Sequence, residues 1–201
     1  MKTIILKYNA GNIRSVANAL QRLGTEALVT DDPEALLSAD RVIVPGQGEA
    51  ANTMAYLRAK GLDQLVRNLK QPVLGICIGQ QLFCESSAEG NTDCLGIFPE
   101  VRVEKFQRNL AQGVKVPHIG WNTIGDLQTP LFDGLEPESF VYYVHSFYVP
   151  VCDYTIATTE YGGTRYSAAM HKDNFYATQF HPEKSGTVGE QILRNFLAMK
   201  I

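Results

Sequence analysis

The stretch Val73-Leu74-Gly75-Ile76-Cys77-Ile78-Gly79-Gln80-Gln81 reads as a buried strand, a sharp turn and the start of a helix, with a cysteine at the apex. Gly75 and Gly79 flank that cysteine at a spacing of two, as a tight strand-to-helix turn requires where backbones pass closely. Such a turn exposes the apical side chain. The free N–H groups and the dipole of the helix that follows favour negative charge, so the pattern predicts a nucleophilic thiolate at Cys77. The backbone N–H of Ile78 is then in place to donate to an oxyanion formed when that sulfur attacks a carbonyl. A lone cysteine in a glycine-rich turn is more often packed core, so the reading needs a second motif.

On the N-terminal side, apolar strands alternate with amphipathic helices. Lys2 to Lys7 is an apolar run, Asn9-Ala10-Gly11-Asn12 a turn, and Ile13, Val16, Ala17, Leu20 and Leu23 recur at helical spacing up to Gly24. Ala27 to Thr30 follows as a strand, then a turn at Asp31-Asp32-Pro33, a short helix, and the buried run Val42-Ile43-Val44. Helices through Met54 and Leu57 and through Leu65 and Leu69 lead back to the quoted strand. This order predicts an α/β fold, a doubly wound and mainly parallel sheet covered by helices on both faces. Pro45-Gly46-Gln47-Gly48-Glu49 follows one strand, and its glycines free the backbone to point N–H groups into a site at the strand ends. Taken alone, such a loop is more often a plain turn.

On the C-terminal side the pattern becomes antiparallel beyond Glu89. Val101 and Val103 alternate with charged residues, Val116 to Asn122 reads as irregular, Phe140 to Val149 is β-branched and aromatic, and Tyr154 to Thr159 alternates. Ser167 to His171 and Phe175 to Phe180 form a hairpin around Lys172-Asp173-Asn174. A last helix is expected to carry a capping box at Thr187 and Glu190, with Val188, Ile192, Leu193, Phe196 and Leu197 on its core face. Without a repeat or linker, the 201 residues are expected to form one domain, 1–201.

Composition excludes several classes. A formal charge of −3 gives no polyanion signal, so no nucleic acid is expected as a partner. No apolar run approaches the ~18 residues that span a bilayer, and Thr3 to Leu6 is too short for a signal-peptide core before Lys7; no membrane is expected, and a cytoplasmic location is. Cys77, Cys84, Cys94 and Cys152 show neither a CxxC pair nor the density of a disulfide scaffold, so reduced thiols fit, and neither metal nor cofactor is predicted. Cys84, seven residues after Cys77 and expected on the same helix, reads as packed core.

The second motif is Gln179-Phe180-His181-Pro182-Glu183-Lys184-Ser185. Residues two apart on an extended backbone share a face, so His181 and Glu183 project together, with Pro182 stiffening the bend. A carboxylate that holds one imidazole nitrogen leaves the other to accept a proton from a thiol, and it stabilises the imidazolium that results. Cys77, His181 and Glu183 would then form a catalytic triad. His118, His145 and His171 lack a carboxylate two residues on in an extended run.

The strings GICIGQQ, PGQG and QFHPEKS resemble those of the class I (triad) glutamine amidotransferases, over essentially the whole chain. With GNIRSV after the first strand, HIGWN and HPEKS, the chain is similar to the glutaminase subunits of imidazole glycerol phosphate synthase. The resemblance implies a flavodoxin-like glutaminase fold and hydrolysis of glutamine to glutamate and ammonia, with Cys77 as nucleophile, His181 as general base and then acid, and Glu183 as its orienter. It implies an oxyanion site from the N–H of Ile78 and one from Gln47-Gly48. Gln81 and Glu89 would hold the amino-acid end of glutamine, and backbone at His145-Ser146-Phe147 its carboxylate. The implied partner is the cyclase subunit, in a heterodimer, with Asn12, Trp121 and Lys184 at the rim facing it. Lys7 and Asn9 stand where the family commonly has an acidic residue and a glycine, and Gln80 where relatives often carry Met or His. The alternatives are the glutaminase subunit of another synthase (anthranilate, aminodeoxychorismate, carbamoyl phosphate or guanylate), a cysteine hydrolase, and a nucleotide-binding module. The last lacks a GxGxxG or P-loop.

Overall fold

The computed structural model describes residues 1–8, 13–107 and 114–199. The first half alternates strand and helix: β1 Thr3–Leu6, α1 Ile13–Arg22, β2 Ala27–Thr30, α2 Pro33–Leu37, β3 Arg41–Val44, α3 Ala50–Ala59, α4 Leu62–Arg67, β4 Val73–Ile76 and α5 Ile78–Phe83. Strands dominate the second half: β5 Cys84–Ser87, β6 Thr92–Asp93, β7 Phe98–Lys105, β8 His118–Ile124, β9 Ser139–His145, β10 Phe147–Tyr148, β11 Thr155–Tyr161, β12 Thr164–Lys172 and β13 Phe175–Thr178. Helix α6, Gly186–Ala198, follows.

Seven strands form one sheet in the order β11-β12-β13-β4-β3-β1-β2. The five from β13 to β2 are parallel, and β12 runs against both its neighbours. The parallel part has the flavodoxin-like order, in which ligands bind beyond the carboxyl ends of the strands. Here those ends lead to Tyr8, Pro45, Cys77 and Gln179. The inner strands β1, β3 and β4 are buried at every position because successive side chains serve opposite layers. Ile4, Leu6, Val42, Val44 and Val73 meet Leu36, Met54, Leu57 and Val66 of α2 to α4. Ile5, Ile43, Leu74 and Ile76 meet Val16 and Leu20 of α1 and Ile192, Leu193 and Phe196 of α6. Each such fully buried side chain contributes about 1.5–3 kcal/mol.

The doubly wound sheet and its antiparallel extension agree with the sequence pattern, and three local expectations are corrected. Helix α5 stops at Phe83, so Cys84 opens a strand instead of extending the helix. The carbonyls of Leu82 and Cys84 accept from the N–H groups of Leu95 and Gly96, both at 2.8 Å, and Cys84 pairs with Phe98 of β7. Long-range pairing thus overrides the local helical period. Cys84 is core all the same, and burial holds its thiol well above the ordinary range. The irregular-looking 116–122 contains most of β8, which pairs with β9 as a separate ribbon from His118↔His145 to Ile124↔Ser139. Pro117, and Gly120 at φ 137°, disguise it. Finally, α6 begins at Gly186 without a side-chain cap, which puts Thr187 inside the helix and Glu190 3.4 Å from Arg22. The turn at residues 9–12 lies outside the described residues.

Candidate active site

Cys77 joins β4 to α5 at φ 52° and ψ −103°, a left-handed conformation that a residue with a Cβ holds only when its surroundings enforce it. Its N–H donates to the Thr178 carbonyl at 2.7 Å, and its own carbonyl accepts from the N–H of Gln80 at 3.0 Å. A Cβ on Gly79 would lie 2.6 Å from the Val44 oxygen, and one on Gly75 would lie 2.8 Å from Gly79 backbone, so both flanking glycines answer to close approach. The apex is less open than expected. Cys77 is only 7% exposed, and what its sulfur meets is a cavity.

His181 is buried and receives Glu183 Oε1 at 2.8 Å on Nδ1. The expected extended run is corrected here: His181 is extended at φ −98° and ψ 96°, but Pro182–Lys184 is a turn of 3-10 helix. The tight turn folds the carboxylate back onto the ring. Nε2 is buried without a hydrogen-bond partner among the described residues. Burial alone would disfavour imidazolium, but the interactions with Cys77 and Glu183 outweigh it and raise the pKa of His181. The backbone is clamped as well. The N–H of His181 donates to the Tyr142 carbonyl at 2.9 Å, while the Ser185 hydroxyl donates to the His181 carbonyl at 2.6 Å and accepts from the N–H of Tyr142 at 3.0 Å.

The cavity, about 320 Å³, is lined by Gly46, Gln47, Gly48, Cys77 and Ile78 and by Gln81, Glu89, His145, Ser146 and Phe147. All the oxyanion and substrate residues expected from the sequence therefore line one space. Gly48 has φ 143°, and a Cβ on Gly46 would lie 3.0 Å from His181 Cε1. The hydroxyl of buried Tyr8 donates to the carbonyl of Pro45 at the base of that loop. Glu89 Oε2 accepts from the Ala50 N–H at 2.8 Å and so caps α3, whose own N-cap Glu49 turns its carboxylate to the Asn52 amide and makes no capping bond. Burial raises the pKa of Glu89, and the Ala50 N–H opposes that.

The imidazole of His145 belongs to a buried network. Its Nδ1 is 2.7 Å from the Phe147 carbonyl, which can only accept, so Nδ1 carries the proton and Nε2 accepts from the Tyr166 hydroxyl at 3.2 Å. That hydroxyl then accepts from Nδ1 of His118, also at 3.2 Å. Burial lowers the pKa of His118 to about 4 and of His145 to about 3, so both rings are neutral near pH 7. With its ring spent, His145 offers the cavity its backbone.

Of the residues expected at the partner-facing rim, Trp121 is 54% exposed and meets Tyr142 edge-on at 5.9 Å, while Lys184 Nζ lies 6.0 Å from the same ring. Ile119 and Phe140 are exposed nearby on the same ribbon. Asn12 and Asn9 lie outside the described residues, and Lys7 is exposed at the end of β1. Gln80 does not line the cavity: fully buried, it donates to the Ser167 carbonyl at 3.1 Å and ties α5 to β12. Four positions near the site went unread in the sequence: Tyr8, Ser185, Gly189 and Gln179. Gln179 and Ser185 sit at the two ends of a recognisable string, whereas Tyr8 and Gly189 lie outside any. Among the described residues no group of three or more His, Cys, Asp or Glu side chains is placed to hold a metal ion.

The chain is a class-I glutamine amidotransferase: the model of that family matches residues 5–199. It is 61% identical to the imidazole glycerol phosphate synthase subunit HisH of Bacteroides thetaiotaomicron, over 98% of this chain and 99% of that one. Against the HisH subunit of Shewanella sediminis the identity is 45%, over 98% and 90%. Among solved structures, a glutamine amidotransferase of Thermotoga maritima superposes with a TM-score of 0.67 at 15% identity, over 98% of this chain and 96% of that one, a likeness of fold.

Proposed function

We propose that this chain is the glutaminase subunit of an imidazole glycerol phosphate synthase, working in a cytoplasmic heterodimer with the cyclase subunit that makes imidazole glycerol phosphate and AICAR in histidine biosynthesis. One observation carries the chemistry: Cys77 lines a cavity together with Glu89 and interacts electrostatically with His181, which Glu183 holds by a 2.8 Å bond. Near-full-length likeness to HisH subunits supports the choice of partner.

In this reading the Cys77 thiolate attacks the side-chain amide carbon of glutamine, and the oxyanion rests on the N–H of Ile78 and one from Gln47-Gly48. Imidazolium at His181 gives its proton to the departing nitrogen as the C–N bond breaks, leaving a thioester and ammonia. His181 then takes a proton from water, which attacks the thioester; the C–S bond breaks to release glutamate and restore the thiolate. Glu183 fixes the ring and stabilises its charged form. Ammonia in bulk water would be protonated and lost as a nucleophile, so a docked partner must receive it, with Trp121, Lys184 and the Asn12 turn at the contact. Losing one well-aimed oxyanion donor costs roughly 10²–10³ in rate, so a partner that completes the pair would activate the chain by about that factor.

The test is glutamate release from glutamine, by the chain on its own and with each synthase partner, in wild type, Cys77→Ala and Lys184→Ala. Cys77→Ala is expected to lose hydrolysis yet still support product formation from external ammonium in the complex. Residual turnover removes the nucleophile assignment. Full activity of the lone wild-type chain removes the gating, and activation only by an anthranilate-type partner reassigns the pathway.

A further inference from the structure

Gln179 follows β13 and precedes His181 by two residues; it is fully buried, and its N–H bonds the Ala168 carbonyl at 2.8 Å. Its side-chain nitrogen lies 3.6 Å from Cys77 Sγ, and its side-chain oxygen accepts from Gln81 Nε2 at 3.0 Å. The neighbours fix which end of each carboxamide points where. The Phe147 carbonyl can only accept, so Gln81, 3.0 Å away, must turn its NH2 toward it. The same NH2 faces Gln179, which must answer with oxygen and so presents its own NH2 to the sulfur. Reversing either amide would set two acceptors against each other in a buried space.

We propose that Gln179 is a further residue of the active site, its carboxamide N–H holding the Cys77 sulfur as a thiolate and aiming it at the substrate carbonyl. The proposal rests on the reading of Cys77 as nucleophile. A donor bonds a charged acceptor more strongly than a neutral one, so an N–H directed at sulfur favours the thiolate over the thiol. The opposite preference comes from the Val144 carbonyl, 3.8 Å from the sulfur, which suits the protonated form. The Gln179 N–H offsets it. Because the relay starts at the Phe147 carbonyl in the cavity wall, the sulfur is positioned relative to the surface on which glutamine would lie.

Two variants test this in the complex with the cyclase. Gln179→Glu keeps an oxygen for Gln81 and replaces the group facing the sulfur with an acceptor; Gln179→Leu removes both. Alkylation of Cys77 by iodoacetamide is profiled against pH, with Cys77→Ala as blank, beside steady-state glutamate release and thermal unfolding. The expected result is an alkylation profile displaced to more alkaline pH by about one unit or more, and kcat lowered roughly ten- to hundredfold with KM changed less. A variant that unfolds at the wild-type temperature with an unmoved profile and kcat within about twofold of wild type overturns the proposal. Wild type that is alkylated at Cys77 yet releases no glutamate overturns the glutaminase reading instead, a separate and recognisable outcome.

Discussion

The Tyr8 hydroxyl donates a hydrogen bond to the carbonyl of Pro45, which ties the end of β1 to the loop after β3. The peptide groups of Gln47 and Gly48 hang from that anchor. Tyr8→Phe removes one bond and leaves the ring in place, so stability should fall by only about 0.5–1.5 kcal/mol. The loop proposed to hold the oxyanion loses its tether, and kcat for glutamine is expected to fall up to about tenfold with KM little changed. Steady-state glutamate release beside a denaturant titration checks both, and an unchanged kcat would mean that the loop is held without Tyr8.

Glu183→Gln keeps an oxygen near Nδ1 of His181 but removes the charge that stabilises imidazolium. Glutamate release is expected to drop by about tenfold or more, yet by less than in Cys77→Ala, because members of a triad act non-additively. A wild-type rate would mean that another group orients the ring.

Gly189 is where α6 lies on the His181–Glu183 turn: a Cβ there would sit 1.9 Å from the Pro182 oxygen. Gly189→Ala should therefore displace the helix or the turn, costing about 1–3 kcal/mol. Activity should fall along with it, because Pro182 stands between the two residues that must stay aligned. Midpoints of urea unfolding and glutamate release on the same preparation test the link; a stable and fully active variant would break it.

Stability should depend on pH through the buried histidines. Unfolded imidazoles titrate near 6.5, whereas folded His118 and His145 titrate near about 4 and about 3. The unfolded chain binds more protons in that interval, so this contribution is intact above about pH 6.5 and drains away as pH falls toward 4 and below. His181 has the opposite sign: its raised pKa stabilises fully below about 6.5 and is lost as alkaline pH passes the folded value. Urea midpoints at roughly pH 7.5, 6.0, 5.0 and 4.5 should decline toward acid, less steeply in His118→Asn. Equal slopes in the two proteins would remove His118 from the account.

The strand–helix alternation and the glycine-flanked elbow were legible because they are local: short apolar runs such as Val42-Ile43-Val44 mark a doubly covered strand, and Gly75 and Gly79 stand where backbone passes too closely for a Cβ. Harder to read were residues whose partners are remote in sequence. Tyr8 reaches Pro45, Ser185 reaches Tyr142, and Gln179 reaches Cys77 across about a hundred residues, and no spacing rule connects them. Cys84 misled in the same way, since β7 decides that it is strand. The HxE pairing was read correctly for an imperfect reason, because a 3-10 turn and an extended strand can each bring residues two apart together.

Tyr142 grips His181 through its backbone and faces outward with its ring, between Trp121 and Lys184. Two duties that could conflict are thereby carried by chemically separate parts of one residue. Any L-amino acid other than proline supplies the same N–H and C=O at this position, so the ring can be exchanged to suit a different docking surface while the grip on His181 stays as it is. A scaffold divided in this way can be inherited by assemblies with different acceptors for its ammonia, its chemistry carried forward unaltered as the contact surface diverges.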